Sequence, residues 1–182
     1  MISSQMQKEL LQWARFTLET FLKNSSLPKP GVLAEKFSQE VGAFVTLHNQ
    51  DELRGCIGRI ISSDPLWKTI QEMAIAAATE DSRFYAICFE ELSQIDIEIS
   101  VLSPFKIIDA IHEIQVGTHG IMIRQGSRSG LLLPQVATEQ GWNREEFLAN
   151  ACLKAGLSVE AWKDAATKIE IFSAQVFSEK HS

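Results

Sequence analysis

The sequence predicts an α+β fold of two packed α/β subdomains, each a sheet covered by helices, with a cleft between them. Residues 95–101 alternate apolar and polar side chains with a strict period of two, which is typical of a half-buried strand. Other strand-like segments are joined by short turns, which favours antiparallel hairpins over a doubly wound parallel sheet. The strand near 90–103 separates two halves that each contain a hairpin and helical segments, and this indicates two lobes.

Six elements are predicted in the first half, each from its own local signal. In the first of them, large apolar residues recur at steps of three and four, the period of an amphipathic helix. Two prolines and a glycine then end it in a loop, and Asp64 followed by Pro65 is typical of the capped start of another helix. In chain order these are a helix over 4–23, a loop over 24–31, a short helix over 32–39, a hairpin from 42–47 and 53–61, a helix from 64 to about 79, and the strand over 95–101.

The second half is predicted to contain a hairpin, two helices and a final strand. Gly126 and the polar residues after it form the hairpin connection. Asn143 with Glu146 three residues later is the pattern of a capping box, and Gly156 is a typical helix stop. The predicted ranges are strands over 117–125 and 130–133, helices over 134–140 and 143–155, and a strand over 168–177.

Composition and charge narrow the class of protein. The 182 residues carry a net charge of -6 with a pI of about 5.3, and this disfavours nucleic acid as a main partner because no global positive field attracts phosphates. No apolar run approaches the roughly 18–20 residues of a membrane-spanning helix, and the N-terminus has no basic segment followed by an apolar one. We therefore expect one cytoplasmic domain over residues 1–182, without a membrane partner.

The cysteines and the missing motifs limit the cofactor chemistry. Cys56, Cys88 and Cys152 are far apart and form no C-x-x-C pair, so they are neither a disulfide framework nor a zinc ribbon, and we expect reduced thiols. H-E-x-x-H, an EF-hand loop, a P-loop and G-x-G-x-x-G are also absent from the sequence. The sequence therefore predicts neither a metal nor a cofactor.

The segment Leu-Arg-Gly-Cys-Ile-Gly at 53–58 is the most unusual local pattern. Gly55 and Gly58 weaken a strand unless a ligand or a packed backbone comes close to it. In an extended strand Arg54 and Cys56 project from the same face, about 7 Å apart, where the guanidinium favours a thiolate. Cys56 is then a nucleophile; the structural alternative is a small buried thiol beside glycines that mark a bulge.

Two more residues are candidate acids or bases. His119 stands between two glycines at the start of a predicted strand, where its imidazole can accept a proton or bind an anion; the alternative is a hydrogen-bonded turn residue. Glu98 lies on the polar face of 95–101, where it is an acid, base or ligand if that face lines the groove and a solvated surface residue otherwise. We interpret His48, His112 and His181 as ordinary surface or turn residues.

Asp81 and Arg83 complete the set of candidate site residues. Asp81 follows the helix predicted to end near residue 79, where an acid meets the negative end of the helix dipole and needs a compensating partner. Arg83 is the obvious partner. We assign both residues to substrate binding; the alternative is that they satisfy only the helix end and each other.

Taken together, these segments resemble the AMMECR family, whose bacterial and archaeal members are called protein A of the AmmeMemoRadiSam system. The hexapeptide at 53–58 is similar to the family signature, and further segments follow in the family's order over roughly residues 5–178. Those segments lie at 80–84, 97–104, 117–121, 131–137 and 142–157. One departure is Ser82, where the family usually has proline, and it bears on the rigidity of that turn.

The resemblance implies a larger subdomain built from both chain ends and a smaller inserted one, with the signature motif beside the cleft. It also implies two partner proteins, a MEMO-type protein and a radical S-adenosylmethionine protein. It implies no settled reaction, so two hypotheses stay open. The first is a small-molecule enzyme with Cys56 as nucleophile and Arg54 as the group that stabilises it, served by His119 or Glu98 as base. The second is a non-catalytic ligand-binding or adaptor subunit, in which the glycines admit a ligand or a partner's backbone.

Overall fold

The computed structural model describes residues 2–181 and confirms the α+β class, with helices and two four-stranded sheets. The helices are α1 (Ser4–Asn24), α2 (Leu33–Lys36), α3 (Leu66–Thr79), α4 (Pro134–Glu139) and α5 (Arg144–Lys154). The strands are β1 (Ala43–Asn49), β2 (Glu52–Arg59), β3 (Ile95–Leu102), β4 (Lys106–Ile107), β5 (Gly120–Gln125), β6 (Arg128–Leu132), β7 (Lys168–Phe172) and β8 (Ala174–Ser178). Short 3₁₀ helices span Glu90–Gln94, Ile111–Glu113, Ala161–Lys163 and Glu179–His181.

The chain forms two compact units. The first contains the described residues up to Leu102 together with those from Gln175 onward, and the second is the continuous segment Ser103–Ala174. The first sheet, in the order β2-β1-β3-β8, belongs to the first unit, and the second sheet, in the order β4-β7-β5-β6, belongs to the second. The cleft expected beside the signature motif stays a prediction.

The first sheet buries one face against helices. β1 pairs antiparallel with both β2 and β3, and alternate residues of these strands, among them Val45, Leu47, Ile97 and Ile99, are fully buried. α3 packs on β1 and β2, and α1 packs on α3. The residues between the buried ones, on the opposite face, are all partly exposed. The period of two in the sequence thus assigns one face to the core and the other to the candidate site.

The first helix agrees with its predicted range. The Ser3 hydroxyl accepts a hydrogen bond from the Met6 N–H at the start of α1, and Ser25 ends it in the left-handed conformation with φ 52°. Leu10, Ala14 and Leu18 are completely buried. The helix predicted over 4–23 is therefore confirmed, because both its apolar period and its ends are encoded locally.

The predicted cap of α3 is wrong, although the helix itself is confirmed. Pro65 occupies the capping position and makes no side-chain hydrogen bond there. The Asp64 carboxylate instead binds Lys68 at 2.6 Å and Arg59 at 3.2 Å. Two cations compete successfully for the carboxylate, so its oxygens do not accept from the first N–H groups of the helix.

In the second unit, helix α5 has the predicted capping box. The Asn143 side chain accepts from the N–H groups of Glu145 and Glu146, and the Glu146 carboxylate accepts from the Asn143 N–H at 2.9 Å. α5 packs on β5 and β6. At Gly130 a Cβ atom would lie 2.4 Å from the Ala155 nitrogen, so only glycine allows the helix to come this close to β6.

The final strand predicted over 168–177 is two strands in different sheets. β7 belongs to the second sheet and β8 to the first, with Ser173 between them. The Ser173 N–H donates to the Ser103 Oγ at 2.9 Å, and the Ser173 carbonyl accepts from the Ser103 N–H at 2.8 Å. These bonds replace the sheet ladder at Ser173 and end β7. The apolar pattern continues through the break, so the sequence pattern alone does not reveal it.

Candidate functional site

The candidate site is centred on β2, which lies at one edge of the first sheet. Its pairing with β1 shifts by one residue between Leu47 and His48, so that Arg54 falls between the residues that pair. Arg54 is therefore the extra residue of a β-bulge. Arg54 and Cys56 share one face only if the strand keeps an unbroken period of two, and the bulge interrupts that period.

The Arg54 guanidinium is bound to the loop that follows α3. Its Nε and Nη2 atoms donate to the two carboxylate oxygens of Glu91 at 2.6 and 3.0 Å, and Nη1 donates to the Tyr85 carbonyl at 2.9 Å. The guanidinium also lies over the Phe84 ring, 5.9 Å from its centroid. These contacts anchor the loop, and a role for Arg54 as the stabiliser of the Cys56 thiolate stays a prediction.

Cys56 makes one hydrogen bond through its backbone N–H and one through its sulfur. Its N–H donates to Asp81 Oδ2 at 2.9 Å, and its sulfur accepts from the Thr46 hydroxyl at 3.3 Å. The residue is partly exposed, whereas Cys88 is exposed and Cys152 is buried. Burial raises the pKa of the Cys152 thiol. The three cysteines thus occupy three different environments in one molecule.

Asp81 is the buried acid of the site, with 7% of its surface exposed. The Arg83 side chain donates to its carboxylate from Nε at 2.9 Å and from Nη2 at 2.7 Å. The Arg83 backbone N–H donates a third hydrogen bond to it at 3.2 Å. The Arg83 guanidinium, followed by the Cys56 N–H, holds the pKa of Asp81 well below its usual range despite burial, which acts to raise it. The predicted pairing of Asp81 with Arg83 is confirmed, and Asp81 is an ionised anchor.

The turn at Ser82 is closed by one backbone and one side-chain hydrogen bond. The Phe84 N–H donates to the Asp81 carbonyl at 3.0 Å, which closes a four-residue turn. The Asp81 side chain accepts from the Arg83 N–H two residues on, as in an Asx turn. These two bonds restrain the turn although residue 82 is serine.

The protein's own atoms fill the space beside both glycines of the motif. A Cβ at Gly55 would lie 2.1 Å from the Ala77 carbonyl oxygen of α3, and one at Gly58 would lie 2.2 Å from the Phe44 ring. The sequence allowed either a ligand or a packed backbone beside these glycines, and at Gly55 it is the backbone of α3. Ligand binding by Gly55 and Gly58 stays a prediction.

The exposed face of the sheet places Glu98 in line with Cys56. Thr46 is paired with Cys56 on one side and with Glu98 on the other, so the three residues form one row across β2, β1 and β3. The Glu98 carboxylate makes no hydrogen bond or ion pair with any residue in 2–181 and is partly exposed. Sequence reasoning missed Thr46, although the alternation of β1 places it on the face opposite the buried residues.

His119 lies in the second unit, whereas Cys56 lies in the first. Its Nδ1 accepts from the Gln115 N–H at 3.2 Å and lies 3.1 Å from the Glu113 carbonyl, and its backbone N–H donates to the Gln115 carbonyl. These bonds form a turn over 115–119, which is why β5 begins at Gly120 and not at the predicted residue 117. The contacts of His119 are thus those of a hydrogen-bonded turn residue, the alternative to a general base. Its pairing with Cys56 stays a prediction.

Residues 2–181 contain neither a cluster of metal-ligating side chains nor a membrane-spanning helix. No group of three or more His, Cys, Asp or Glu side chains is arranged to hold a metal ion. No helix in that range combines the length and apolar character needed to cross a bilayer.

Comparison with known proteins decides the family. A profile of the AMMECR1 family matches residues 11–177. The chain belongs to the AMMECR1 family. A protein of Nanoarchaeum equitans is 40% identical over 177 residues, which is 93% of this chain and 98% of the relative. A protein of Methanothermobacter thermautotrophicus is 43% identical over 179 residues, 94% of this chain and 93% of its own.

A solved structure shows the same AMMECR1 fold. The crystal structure of an uncharacterized protein from Pyrococcus horikoshii superposes with a TM-score of 0.81 at 36% identity, covering 99% of this chain and 94% of the other. The resemblance drawn from the hexapeptide and its companion segments is confirmed. The names of these relatives state no reaction, so a function for this AMMECR1 protein rests on its site.

Proposed function

We propose that this AMMECR1 protein is a small-molecule enzyme that uses Cys56 as a thiol nucleophile. The observation that carries the proposal is the pair of bonds at Cys56, in which Thr46 donates to the sulfur and Asp81 accepts from the backbone N–H. A hydrogen bond donated to sulfur favours the thiolate, which is the nucleophilic form. The bond to Asp81 fixes the strand that carries the sulfur.

Arg83 supplies the positive charge of the proposed site. The pKa of Arg83 is raised, first by its bonds to Asp81 and in smaller part by the charge that Cys56 can carry. With 55% of its side chain exposed, Arg83 can also meet an anionic group of a substrate.

The same proposal assigns roles to the other candidate residues of the site. Glu98, in the row with Cys56, and His119 are candidate acids or bases, and Arg54, Gly55 and Gly58 border the sulfur along the strand. A cytoplasmic location is included, because a nucleophilic thiol has to stay reduced.

Competition between three thiols tests the proposal. Native protein is treated with a limiting amount of iodoacetamide at neutral pH, and alkylation of each cysteine is followed by peptide mass spectrometry. We expect Cys56 to react faster than the more exposed Cys88, and Cys152 to react slowest because burial raises its pKa. Arg83→Gln should slow Cys56 and leave Cys88 unchanged. A Cys56 that reacts no faster than Cys88 would show an inert thiol.

A binding or adaptor subunit is the second candidate, and the surface around the motif favours it. Leu53, Tyr85 and Phe89 are 40%, 93% and 40% exposed, and all three belong to β2 or to the loop that Arg54 anchors. Exposed apolar side chains of this size are typical of interaction surfaces. The partners would be the MEMO-type and radical S-adenosylmethionine proteins implied by the family resemblance.

Two variants separate the candidates. In pull-downs with the two purified partner proteins, the adaptor hypothesis predicts that Tyr85→Ala weakens capture and that Cys56→Ser does not. The enzyme hypothesis predicts that Cys56→Ser abolishes turnover while capture persists. Capture of neither protein by the unmodified chain would remove the adaptor hypothesis.

A further inference from the structure

The Arg83 guanidinium keeps unused hydrogen-bond donors beside the proposed nucleophile. A guanidinium carries five N–H donors, and the Asp81 carboxylate accepts from only two of its nitrogens, Nε at 2.9 Å and Nη2 at 2.7 Å. Nη1 makes no hydrogen bond within residues 2–181, and 55% of the side chain is exposed. The outer edge of the guanidinium, formed by Nη1 and Nη2, is therefore open to a ligand.

Arg54 differs from Arg83 in this respect. All three of its guanidinium nitrogens donate, two of them to Glu91 and the third to the Tyr85 carbonyl. Its side chain is only 18% exposed. Of the two arginines at the site, Arg83 is thus the one that can take up a further anion.

The Arg83 guanidinium is held in place close to Cys56. Asp81 fixes one edge of it, and the Phe84 ring lies against it with 5.4 Å between Cζ and the ring centroid. Asp81 Oδ2 accepts from Arg83 Nη2 and also from the Cys56 N–H, so these two nitrogens lie at most about 6 Å apart. The charge that Cys56 can carry contributes to the raised pKa of Arg83, so the sulfur lies within electrostatic range of the guanidinium. A small anion on the outer edge can therefore bring its neighbouring carbon to the sulfur.

The charges around the site favour one class of anion. Ionised Asp81 shares the guanidinium, and the Glu98 carboxylate, in the row with Cys56, binds no cation within residues 2–181. Both negative charges repel a doubly charged phosphate more than a singly charged carboxylate. A planar carboxylate also matches the parallel N–H groups along one edge of a guanidinium.

We propose that the substrate of Cys56 carries a carboxylate beside the carbon that the sulfur attacks, and that the outer edge of Arg83 binds this carboxylate; this rests on the proposed function. Iodoacetate models such a substrate, and iodoacetamide is its neutral analogue. With either reagent the thiol gives its proton to solvent and the thiolate forms a bond to carbon. The electron pair of the carbon–iodine bond leaves as iodide, so atoms and charge balance.

The ratio of the two alkylation rate constants tests this assignment, with Cys88 in the same molecule as the reference. We expect the iodoacetate-to-iodoacetamide ratio to be at least about tenfold higher at Cys56 than at Cys88, the effect of a charge-assisted hydrogen bond. The ratio cancels the thiolate fraction, which both reagents share at a given pH. Arg83→Gln should lower the Cys56 ratio to that of Cys88. Arg128→Gln, at an exposed arginine of the second unit, is the matched control and should leave it unchanged.

A second variant and two competing anions complete the test. Arg83→Lys keeps a charge beside Asp81 but loses the planar fork, so it should also lower the ratio. At equal ionic strength, acetate should slow iodoacetate at Cys56 more than inorganic phosphate does. Stronger protection by phosphate overturns the assignment to a carboxylate.

The outcomes separate this inference from the proposed function. A Cys56 that is faster than Cys88 toward iodoacetamide but has the same reagent ratio overturns the inference and leaves the nucleophile standing. A Cys56 ratio that both Arg83 variants leave unchanged does the same. A wild-type Cys56 no faster than Cys88 toward iodoacetamide overturns the proposed function, and the inference with it.

Discussion

At the scale of single residues, the arrangement of the site depends on which arginine binds which carboxylate. Arg54 is close to Cys56 in the sequence and Arg83 is distant from it, and each binds one carboxylate with two nitrogens, Glu91 and Asp81 respectively. Only Asp81 also accepts from the Cys56 backbone. Arg83, and not the sequence neighbour Arg54, is therefore coupled to the nucleophile through a shared carboxylate.

Asp81→Asn should lower the free energy of unfolding at neutral pH by about 1–3 kcal/mol, because a buried charged acceptor of several hydrogen bonds is lost. The pKa of Asp81 is depressed in the folded state, so the unfolded chain binds the extra proton as the pH falls. The stabilisation is complete above about pH 5 and is lost progressively below about pH 4.

Urea unfolding at a series of pH values measures this effect. The gap between the wild type and Asp81→Asn should narrow as the pH falls below about 4. Asp109→Asn, at an exposed aspartate, is the control and should stay within about 0.5 kcal/mol of the wild type. A gap of constant size across the acid range would contradict an ionised Asp81.

Ser82→Pro should stabilise the protein by about 0.4–1 kcal/mol, because proline restricts the unfolded chain at a position that suits it. Ser82 is the second residue of the turn closed by Asp81 and Phe84, and its N–H makes no hydrogen bond within residues 2–181. Calorimetry should show a rise of about 1–4 °C in the unfolding midpoint. Ser82→Ala should give no rise. A lower midpoint for the proline variant would show that the turn conformation does not accommodate a proline ring.

At the scale of elements, the contact between α3 and β2 decides the position of the motif. The Ala77 carbonyl of α3 lies where a Cβ of residue 55 would be. Backbone atoms of a helix cannot move aside as a flexible side chain can. Helix and strand therefore approach each other as closely as glycine allows, and this contact holds β2 in place.

Gly55→Ala should cost about 3 kcal/mol of unfolding free energy because the added methyl group meets helix backbone. Gly58→Ala should also cost more than Gly126→Ala, because its methyl group would lie 2.2 Å from the Phe44 ring and 2.8 Å from the Ala43 carbonyl oxygen. Gly126→Ala faces open space at φ +60° and should lose only about 1 kcal/mol to backbone strain. Denaturant unfolding of the three variants gives the order, and equal costs at 55 and 126 would refute the close contact.

At the scale of the whole molecule, the two chain ends meet within the first unit. The Glu179 carboxylate accepts from Arg15 in α1 and from the Ile97 N–H of β3 at 2.9 Å. Arg15 also donates to the carbonyls of Leu92 and Ile95. One carboxylate near the end of the chain thus joins the first helix to the central part of the first sheet.

Glu179→Gln should destabilise the first unit by about 1–2 kcal/mol, because charge-assisted bonds are lost in a partly buried place. Native-state hydrogen exchange should show reduced protection in α1 and β3, with β5 and α5 unchanged. Glu139→Gln, at an exposed position on α4, is the control and should change neither unit. Equal loss of protection in both units would contradict the assignment of this carboxylate to the first unit alone.

The sequence by itself determined the elements whose signals are local. The range of α1, the α5 capping box and the alternation of β3 were all predictable, because periods of 3.6 and 2 and the caps act over a few neighbouring residues. The hexapeptide and the segments around it also identified the family. Asp81 and Arg83 were recognised as a pair because the helix end required a compensating charge.

Only the tertiary structure decided which residues meet across strands. The bulge at Arg54, the row of Cys56, Thr46 and Glu98, and the division of the last strand depend on register and on sheet membership. Pairing joins residues distant in sequence, and one extra residue in a strand changes which side chains become neighbours. No local pattern carries that information, since it arises only when the strands pair and the helices pack on them.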